Sequence, residues 1–278
     1  MNAGEAIVDQ VQPVLRWAGG KRWLVSHLRT LTQGIDVGAY HEPFLGGASV
    51  FLGLNPKRAF LADLNAELIE TYECIRQKPR EISDRLQEYE NTAESYYGAR
   101  DEKPDDAVGR AARFIFLNHH SFNGIYRVNL QGVYNVPFGR RARPNMPGED
   151  ELVAFSRRLE AASLSSGDFF ETLENVKAGD LVFVDPPYTV AHNNNGFVKY
   201  NQKLFSFEDQ HRLSEYLDGV RDLGAHYIMT NAAHESIALL FEKGDRRIET
   251  SRRNSVGGAT SARGSATEYL FTNIRSDG

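Results

Sequence analysis

Short apolar runs alternate along this chain with stretches in which apolar residues recur at helical spacing. The runs, which predict buried strands, lie at residues 41–45, 58–64, 180–184, 225–230 and 269–273. Helical spacing between them is clearest at residues 66–77 and 207–223. Strands that alternate with helices are typical of an α/β fold with crossover connections. The pattern therefore predicts an α/β sheet.

The middle of the chain interrupts that alternation. Charged helix-forming stretches come first, and residues 126–136 then predict a β-hairpin that turns at Leu130-Gln131-Gly132. Further on, Gly257-Gly258 predicts a flexible loop before the last strand. The predicted domains are an inserted, mainly helical domain at residues 77–147 and a surrounding catalytic domain made from residues 1–76 and 148–278.

Composition limits the class of protein. A chain of 278 residues that is 41% hydrophobic can bury a substantial core. Its single cysteine, Cys74, excludes an internal disulfide and a multi-cysteine zinc site, and it suits a reducing compartment. The chain lacks the run of about 18 apolar residues that a membrane-spanning helix needs. We therefore expect a cytoplasmic protein that makes no membrane contact.

The distribution of charge matters more than the net charge of −5. Residues 11–35 carry four bases and residues 109–143 carry six arginines, and neither segment contains an acid. A third basic segment at residues 246–263 contains only Glu249 as an acid. Segregated bases can present a positive face to a polyanion. Three ordinary solvated surfaces are the alternative, and charge alone leaves both open.

The strongest chemical signal follows the apolar run that ends at Val184. The next residues are Asp185-Pro186-Pro187-Tyr188, at the carboxyl edge of the sheet, where ligand sites of α/β proteins lie. An exocyclic amine on a nucleobase is a poor nucleophile, because its lone pair is delocalised into the ring. The Asp185 carboxylate and the Pro186 carbonyl can accept hydrogen bonds from its two hydrogens, and Tyr188 offers a face for stacking. The alternative is a proline turn with an incidental tyrosine.

Two further segments suit a nucleoside cofactor. Gly46-Gly47 forms a turn between a strand and a helix, and Asp63 follows at the end of the next strand, where an acid commonly holds ribose hydroxyls. This spacing does not separate NAD from S-adenosylmethionine. Near the start of the chain, Trp17 lies beside a glycine pair and Lys21. It could cover a cofactor, or it could pack an N-terminal strand into the core.

Together these segments resemble the Dam-type adenine-specific DNA methyltransferases. The segments that match, in the family's order, are Arg16–Lys21, Glu42–Phe51, Asp63–Asn65, Asn118–Arg140 and Asp185–Tyr188. Residues 195–207 also look familial, so the resemblance spans about residues 13–273. It implies a Rossmann-like S-adenosylmethionine-dependent methyltransferase sheet, with the DNA-recognition domain inserted between the cofactor turn and the Asp-Pro-Pro-Tyr motif.

The resemblance also implies roles for individual residues. Those implied to be catalytic are Asp185, Pro186 and Tyr188. Those implied to contact S-adenosylmethionine are Trp17, Lys21, Phe44, Gly46, Asp63 and Asp185. Those implied to contact double-stranded DNA are Arg16, Asn123, Ile125, Arg127, Arg140 and Arg141. Arg127 matches the residue that reads a guanine, and GATC is the family's commonest site.

Two positions depart from the family pattern. Ala48 stands where a second glycine is expected, which we interpret as a small change because alanine is nearly as slim. His119-His120 precedes the hairpin, and we expect surface or phosphate-facing histidines rather than metal ligands. No metal is expected, and neither is an oligomer. A cognate restriction endonuclease, a housekeeping role and a phage role all remain open.

Three rival functions remain at this point. The same motif serves methylation of the cytosine exocyclic amine, where it usually begins with serine, so Asp185 favours adenine. A catalytically inactive DNA-binding relative is the second rival, and the intact Asp185, Tyr188, Trp17 and Asp63 oppose it. An NAD-type dehydrogenase is the third, and it has no use for the basic hairpin.

Overall fold

The computed structural model describes residues 11–129, 131–188, 205–253 and 265–275. The helices in these ranges are α1 Val25–Leu31, α2 Ser49–Leu54, α3 Ala66–Gln77, α4 Pro79–Leu86, α5 Ala93–Asp101, α6 Ala107–His120, α7 Glu149–Leu159, α8 Phe207–Asp222 and α9 Glu235–Phe241. The strands are β1 Tyr40–Glu42, β2 Ala59–Asp63, β3 Ala162–Ser166, β4 Leu181–Val184, β5 His226–Ala232, β6 Arg246–Arg253 and β7 Ser265–Thr272. The predicted α/β class is confirmed.

The chain divides into two compact units. The first contains the described residues up to Arg29 together with Leu45–Gly167, and the second contains Thr30–Phe44 and the described residues from Asp168 onward. Within the described ranges, no helix is both long enough and apolar enough to cross a membrane.

In the first unit, β2 and β3 pair in parallel along their whole length, from Ala59 opposite Ala162 to Asp63 opposite Ser166. Helix α3 packs against α6 and α7, and α4 packs against the same two helices. Each of these helices begins where its sequence can satisfy the first N–H groups. Asn65 caps α3 by accepting from the Leu68 N–H, and Pro79 opens α4 at a position that needs no N–H donor.

The second unit is built on strands β1, β4 and β5, which pair in parallel in that order. Strand β7 adds to β5 in the antiparallel direction, and β6 closes the edge as the partner of β7. Helix α8 connects β4 to β5 and so forms a βαβ unit, the building block of Rossmann-like folds. Leu213, Tyr216 and Val220 of α8 are fully buried in the core of this unit.

The predicted elements are largely confirmed. Helix α3 has the predicted bounds of 66–77, and α8 ends one residue before the predicted Leu223. Strands β3 and β6 were not predicted, and both are polar: β3 has the sequence Ala-Ser-Leu-Ser-Ser, and β6 lies in the third basic segment. An edge strand with so few apolar residues leaves too weak a pattern to predict, and only its pairing with a neighbouring strand identifies it.

The predicted hairpin is present as a tight reversal of the chain. Val128 forms an antiparallel bridge with Tyr134, and the Asn129 N–H donates to the Val133 carbonyl at 2.8 Å. The arms form isolated bridges rather than regular strands. The Leu130 residue of the predicted turn, the loop at Gly257-Gly258 and residues 195–204 of the familial segment lie outside the described residues.

Candidate active site

The predicted cofactor turn and the predicted ribose-binding acid are joined directly. The two Asp63 carboxylate oxygens accept hydrogen bonds of 2.9 Å from the backbone N–H groups of Gly46 and Asn65. The buried Tyr72 hydroxyl donates to the Gly46 carbonyl at 2.8 Å and so supports the turn from below. Burial raises the pKa of Asp63, and the two backbone hydrogen bonds oppose that shift. The Tyr72 contact was not predicted, since only the fold brings α3 under the turn.

Trp17 lies across this turn. A Cβ atom added at Gly46 would come within 2.7 Å of the indole, and one at Gly47 within 2.9 Å of the Trp17 Cβ. Only glycine therefore fits at these two positions. The indole also stacks on Tyr126 with ring centroids 5.8 Å apart. No strand forms at residues 11–20, so the alternative of a core strand at Trp17 is wrong.

Lys21 lies at the start of the segment that leads to α1. Its backbone N–H donates to the Ser49 hydroxyl at 3.2 Å, which ties it to the first residue of α2. Its ammonium group donates to the Gly19 carbonyl at 3.2 Å, although the residue is only 3% exposed. A lysine this buried is held in place by such contacts. The first unit thus collects Trp17, Lys21, Gly46 and Asp63 around one turn.

Ala48 occupies a backbone conformation that explains the family's glycine. Its φ of 58° and ψ of 22° lie in the left-handed region, and the residue is fully buried. A residue with a Cβ pays roughly 1–2 kcal/mol there. Our interpretation of this departure as a matter of size was therefore wrong, because the constraint at Ala48 is the backbone angle.

The Asp-Pro-Pro-Tyr motif lies in the second unit, at the end of β4. The Thr230 hydroxyl donates to one oxygen of the Asp185 carboxylate at 2.7 Å. The Tyr188 hydroxyl donates to the Glu268 carboxylate at 3.1 Å. Burial and the nearby Asp185 and Glu268 charges raise the pKa of Tyr188 well above its usual value. Tyr188 therefore stays protonated at neutral pH and acts as a hydrogen-bond donor.

Phe44 also belongs to the second unit. It stacks on Phe169 at a centroid distance of 5.3 Å and meets the edge of Phe205 at 5.8 Å.

The two prolines of the motif differ in burial: Pro186 is buried and Pro187 is exposed. The carbonyl of Pro186 belongs to a backbone segment whose φ is set by the proline rings.

The predicted DNA-contacting residues are divided between exposed and half-buried positions. Arg16, Asn123 and Arg127 are exposed, and Ile125 is half-buried. The Arg16 side chain lies against Gly124, where an added Cβ would meet its Nε at 2.8 Å. This contact places Arg16 beside the loop that carries the other residues.

The hairpin holds its arginine in a defined orientation. The Arg127 Nε donates to the Asn135 side-chain oxygen at 2.8 Å, and its Nη2 donates to the Asn135 carbonyl at 3.3 Å. Asn123 has a φ of 58°, a left-handed conformation that asparagine tolerates better than most residues. Phe122, which is not among the predicted DNA-contacting residues, is 53% exposed beside Asn123. In the sequence, the aromatic residue directly before the Asn123-Gly124 pair marks this exposed position.

Two arginines of the second basic segment, residues 109–143, are engaged in contacts within the protein. Arg110 forms an ion pair with Glu70 at 2.5 Å, and Arg113 donates to the backbone carbonyls of Ala99 and Arg100. Both arginines are thus engaged by groups of the protein itself. Arg140 is exposed with a φ of 51°, and Arg141 is half-buried.

The expectation for the paired histidines was wrong. His119 and His120 are 5% and 4% exposed, at the end of α6. His119 Nε2 lies 2.9 Å from the Val14 carbonyl, and His120 Nδ1 lies 2.9 Å from the Phe116 carbonyl. Burial lowers the pKa of both imidazoles. They are neutral core residues. No group of three or more potential metal ligands occurs in the part of the chain that the structure describes.

Parallel strands joined by a crossover helix, a glycine turn tied to an acid, and an acid at the end of a parallel strand are typical of α/β enzymes. The family model for D12 class N6 adenine-specific DNA methyltransferases matches residues 17–256. The chain belongs to this family and is an adenine-specific DNA methyltransferase.

Individual relatives agree with the family match. The chain is 32% identical to the Type II methyltransferase M1.LlaDCHI of Lactococcus lactis subsp. cremoris, over 95% of each chain. It is 34% identical to the Type II methyltransferase M.MjaIII of Methanocaldococcus jannaschii, over 80% of this chain and 85% of the relative. It is also 34% identical to the DNA adenine methylase of Escherichia coli K12, over 78% of this chain and 79% of the relative.

Proposed function

We propose that the enzyme transfers a methyl group from S-adenosylmethionine to the N6 amine of adenine in double-stranded DNA at a GATC-like site. The observation that carries the proposal is the intact Asp185-Pro186-Pro187-Tyr188 turn at the end of β4, with its acid and its tyrosine both held by hydrogen bonds. The adenine has to leave the duplex, because its amine is out of reach while the base is stacked.

The chemistry assigned to the motif is polarisation of the amine. The Asp185 carboxylate and the Pro186 carbonyl accept hydrogen bonds from the two N6 hydrogens, which moves the nitrogen toward tetrahedral geometry and frees its lone pair for in-line attack. As the new N–CH3 bond forms, the S–CH3 bond would break and leave its electron pair on the sulfur. The methylated amine would then release one N6 proton to the Asp185 carboxylate or to solvent. Tyr188 provides a stacking face for the extruded base. Cys74 takes no part: it is 6% exposed within α3, and burial raises the pKa of its thiol to about 11. No covalent intermediate with the enzyme is formed in this scheme.

The residues of the first unit that fit the cofactor surround the glycine turn. Gly46 and Gly47 let the Trp17 indole lie directly on the turn. The Asp63 carboxylate, fixed by two backbone N–H groups, keeps lone pairs for ribose hydroxyls. When bound, S-adenosylmethionine supplies an activated methyl group. The residues proposed to contact it are Trp17, Lys21, Gly46 and Asp63 in the first unit, and Phe44 and Asp185 in the second.

DNA recognition is assigned to residues 77–147, which we propose as the inserted recognition domain. Arg127 is exposed and held by Asn135, so its guanidinium can meet the acceptor edge of a guanine. The further residues proposed to contact DNA are Arg16, Asn123, Ile125, Arg140 and Arg141. We also propose a monomer that shares its target with a restriction endonuclease, which the Type II names of two relatives support.

The decisive experiment compares wild type with Asp185→Ala on a duplex that contains GATC and on one that does not. Nucleosides are analysed by mass spectrometry after reaction with S-adenosylmethionine. We expect N6-methyladenine only with wild type and only in the GATC duplex, and turnover reduced at least about a hundredfold in Asp185→Ala. Asp222→Ala, at the exposed end of α8, is the control. Near-normal turnover by Asp185→Ala would overturn the assignment.

A further inference from the structure

Strand β5 lies beside the motif and contributes a side chain to it. The parallel pairing of β4 with β5 places Val184 opposite Met229, so the next residues along the two strands, Asp185 and Thr230, are neighbours. Thr230 is 2% exposed, and its hydroxyl donates to Asp185 Oδ1 at 2.7 Å. A bond of this length to a carboxylate is a charge-assisted hydrogen bond.

This hydrogen bond limits how the Asp185 carboxylate can rotate. The terminal torsion of an aspartate is broad and roughly two-fold, so an unsupported carboxylate samples many orientations. A carboxylate has about four lone-pair sites. The hydrogen bond from Thr230 occupies one site on Oδ1 and so restricts the orientation of the carboxylate plane. Geometry of this kind has to be held closely, since a displacement of about 1 Å can cost a hundredfold in rate.

Strand β7 supports the other end of the motif. It pairs with β5 so that Glu268 lies opposite Ala232, two residues beyond Thr230. Glu268 is 7% exposed, and one of its oxygens accepts from the Tyr188 hydroxyl at 3.1 Å. This bond fixes the tip of the phenol and therefore the direction of the ring face. A carboxylate this far from solvent is retained where a partner satisfies it.

We propose that Thr230 and Glu268 are positioning residues for methyl transfer, with Thr230 orienting the Asp185 carboxylate and Glu268 orienting the Tyr188 ring. The inference rests on the proposed roles of Asp185 and Tyr188. Neither Thr230 nor Glu268 belongs to the sequence motif. Both reach it through strand pairing.

Thr230→Val tests the first contact, because valine keeps the shape and removes the hydroxyl. We expect kcat to fall about 10- to 100-fold, with KM for DNA and for S-adenosylmethionine changed less than about threefold. Thr230→Ser restores the donor and should return kcat to within about threefold of wild type.

Glu268 is tested through its partner. Glu268→Gln keeps an acceptor for the Tyr188 hydroxyl and should retain most of kcat, whereas Glu268→Ala should lose about tenfold. In a Tyr188→Phe background the hydroxyl is already gone, so Glu268→Ala should then have no further effect on kcat. This double-mutant cycle separates action through Tyr188 from a general structural role.

The outcomes distinguish the two levels of the proposal. Near-normal turnover by Asp185→Ala overturns the proposed function itself. An inactive Asp185→Ala together with wild-type kcat in Thr230→Val overturns the positioning role of Thr230 alone. If Thr230→Val does not fold, Thr230→Ala replaces it, and equal kcat values for Thr230→Ala and Thr230→Ser overturn the inference. Additive losses in the Glu268 cycle overturn the role of Glu268.

Discussion

The side chain of Asn118 forms two hydrogen bonds with the backbone of Arg16, which is 102 residues away in the sequence. The Arg16 N–H donates to Asn118 Oδ1 at 2.7 Å, and Asn118 Nδ2 donates to the Arg16 carbonyl at 2.8 Å. Asn118 is 1% exposed near the end of α6, and Arg16 is exposed beside the hairpin loop. The Asn118 side-chain amide thus pairs with the Arg16 backbone as a neighbouring strand would, and it holds that backbone in place beside the hairpin loop.

Asn118→Ala should lower both stability and DNA affinity. The variant leaves the N–H and the carbonyl of Arg16 without these partners, which costs about 1–3 kcal/mol of unfolding free energy. Urea unfolding measures this, and DNA binding by the folded variant should weaken because Arg16 loses its support. Asn175→Ala, at an exposed position, should change unfolding free energy by less than about 0.5 kcal/mol. An equally small change in Asn118→Ala would contradict the prediction.

Arg127→Ala should relax the choice of target more than it slows the reaction on other sites. A bidentate contact to guanine is worth about 1–3 kcal/mol, so the ratio of kcat/KM between GATC and a duplex with one of its two G·C pairs exchanged should fall about 5- to 150-fold. Arg127→Lys should not rescue, because an ammonium group lacks the planar fork. Asn135→Ala should give a smaller loss, since it removes the acceptor that orients Arg127. Arg157→Ala, exposed on α7, controls for net charge.

Ala48→Gly should leave stability nearly unchanged, in contrast to alanine-to-glycine changes elsewhere in the core. Relief of the left-handed conformation offsets the greater freedom of the unfolded chain, so the net change should be within about 1 kcal/mol. Ala112→Gly, at an equally buried position inside α6, should cost at least about 1 kcal/mol. Ala48→Val should cost about 2 kcal/mol or more. Equal losses at positions 48 and 112 would show that backbone strain is absent.

Stability should fall as pH decreases below about 6.5, in part because of His119 and His120. Their folded-state pKa values are lowered by burial, so below the ordinary value of about 6.5 the unfolded chain takes up protons first. The stabilisation that comes from keeping these histidines neutral is fully present above that pH. Below it, each histidine lowers the free energy of unfolding by up to about 1.4 kcal/mol per pH unit. Replacing either by glutamine should flatten the slope, whereas replacing the exposed His211 should not. An unchanged slope in both variants would refute the prediction.

The sequence pattern was sufficient for elements whose burial leaves a periodic trace. Helices α3 and α8 bury one face each, and β4 is buried on all four residues, so their positions were predicted to within a residue or so. Strands β3 and β6 were not predicted because most of their residues are polar. His119 and His120 were misjudged because a polar residue at the end of an amphipathic helix is buried or exposed according to what packs against it.

The sequence by itself determined the α/β class, the family resemblance and the chemistry-bearing motifs, because these depend on neighbouring residues and local periodicity. Only the tertiary structure decided which distant groups support those motifs. Thr230 reaches Asp185, Glu268 reaches Tyr188 and Asn118 reaches Arg16 through strand pairing and helix packing. Likewise, the left-handed φ at Ala48 follows from closing the turn against the rest of the fold. Contacts made over such separations leave no local pattern in a single sequence.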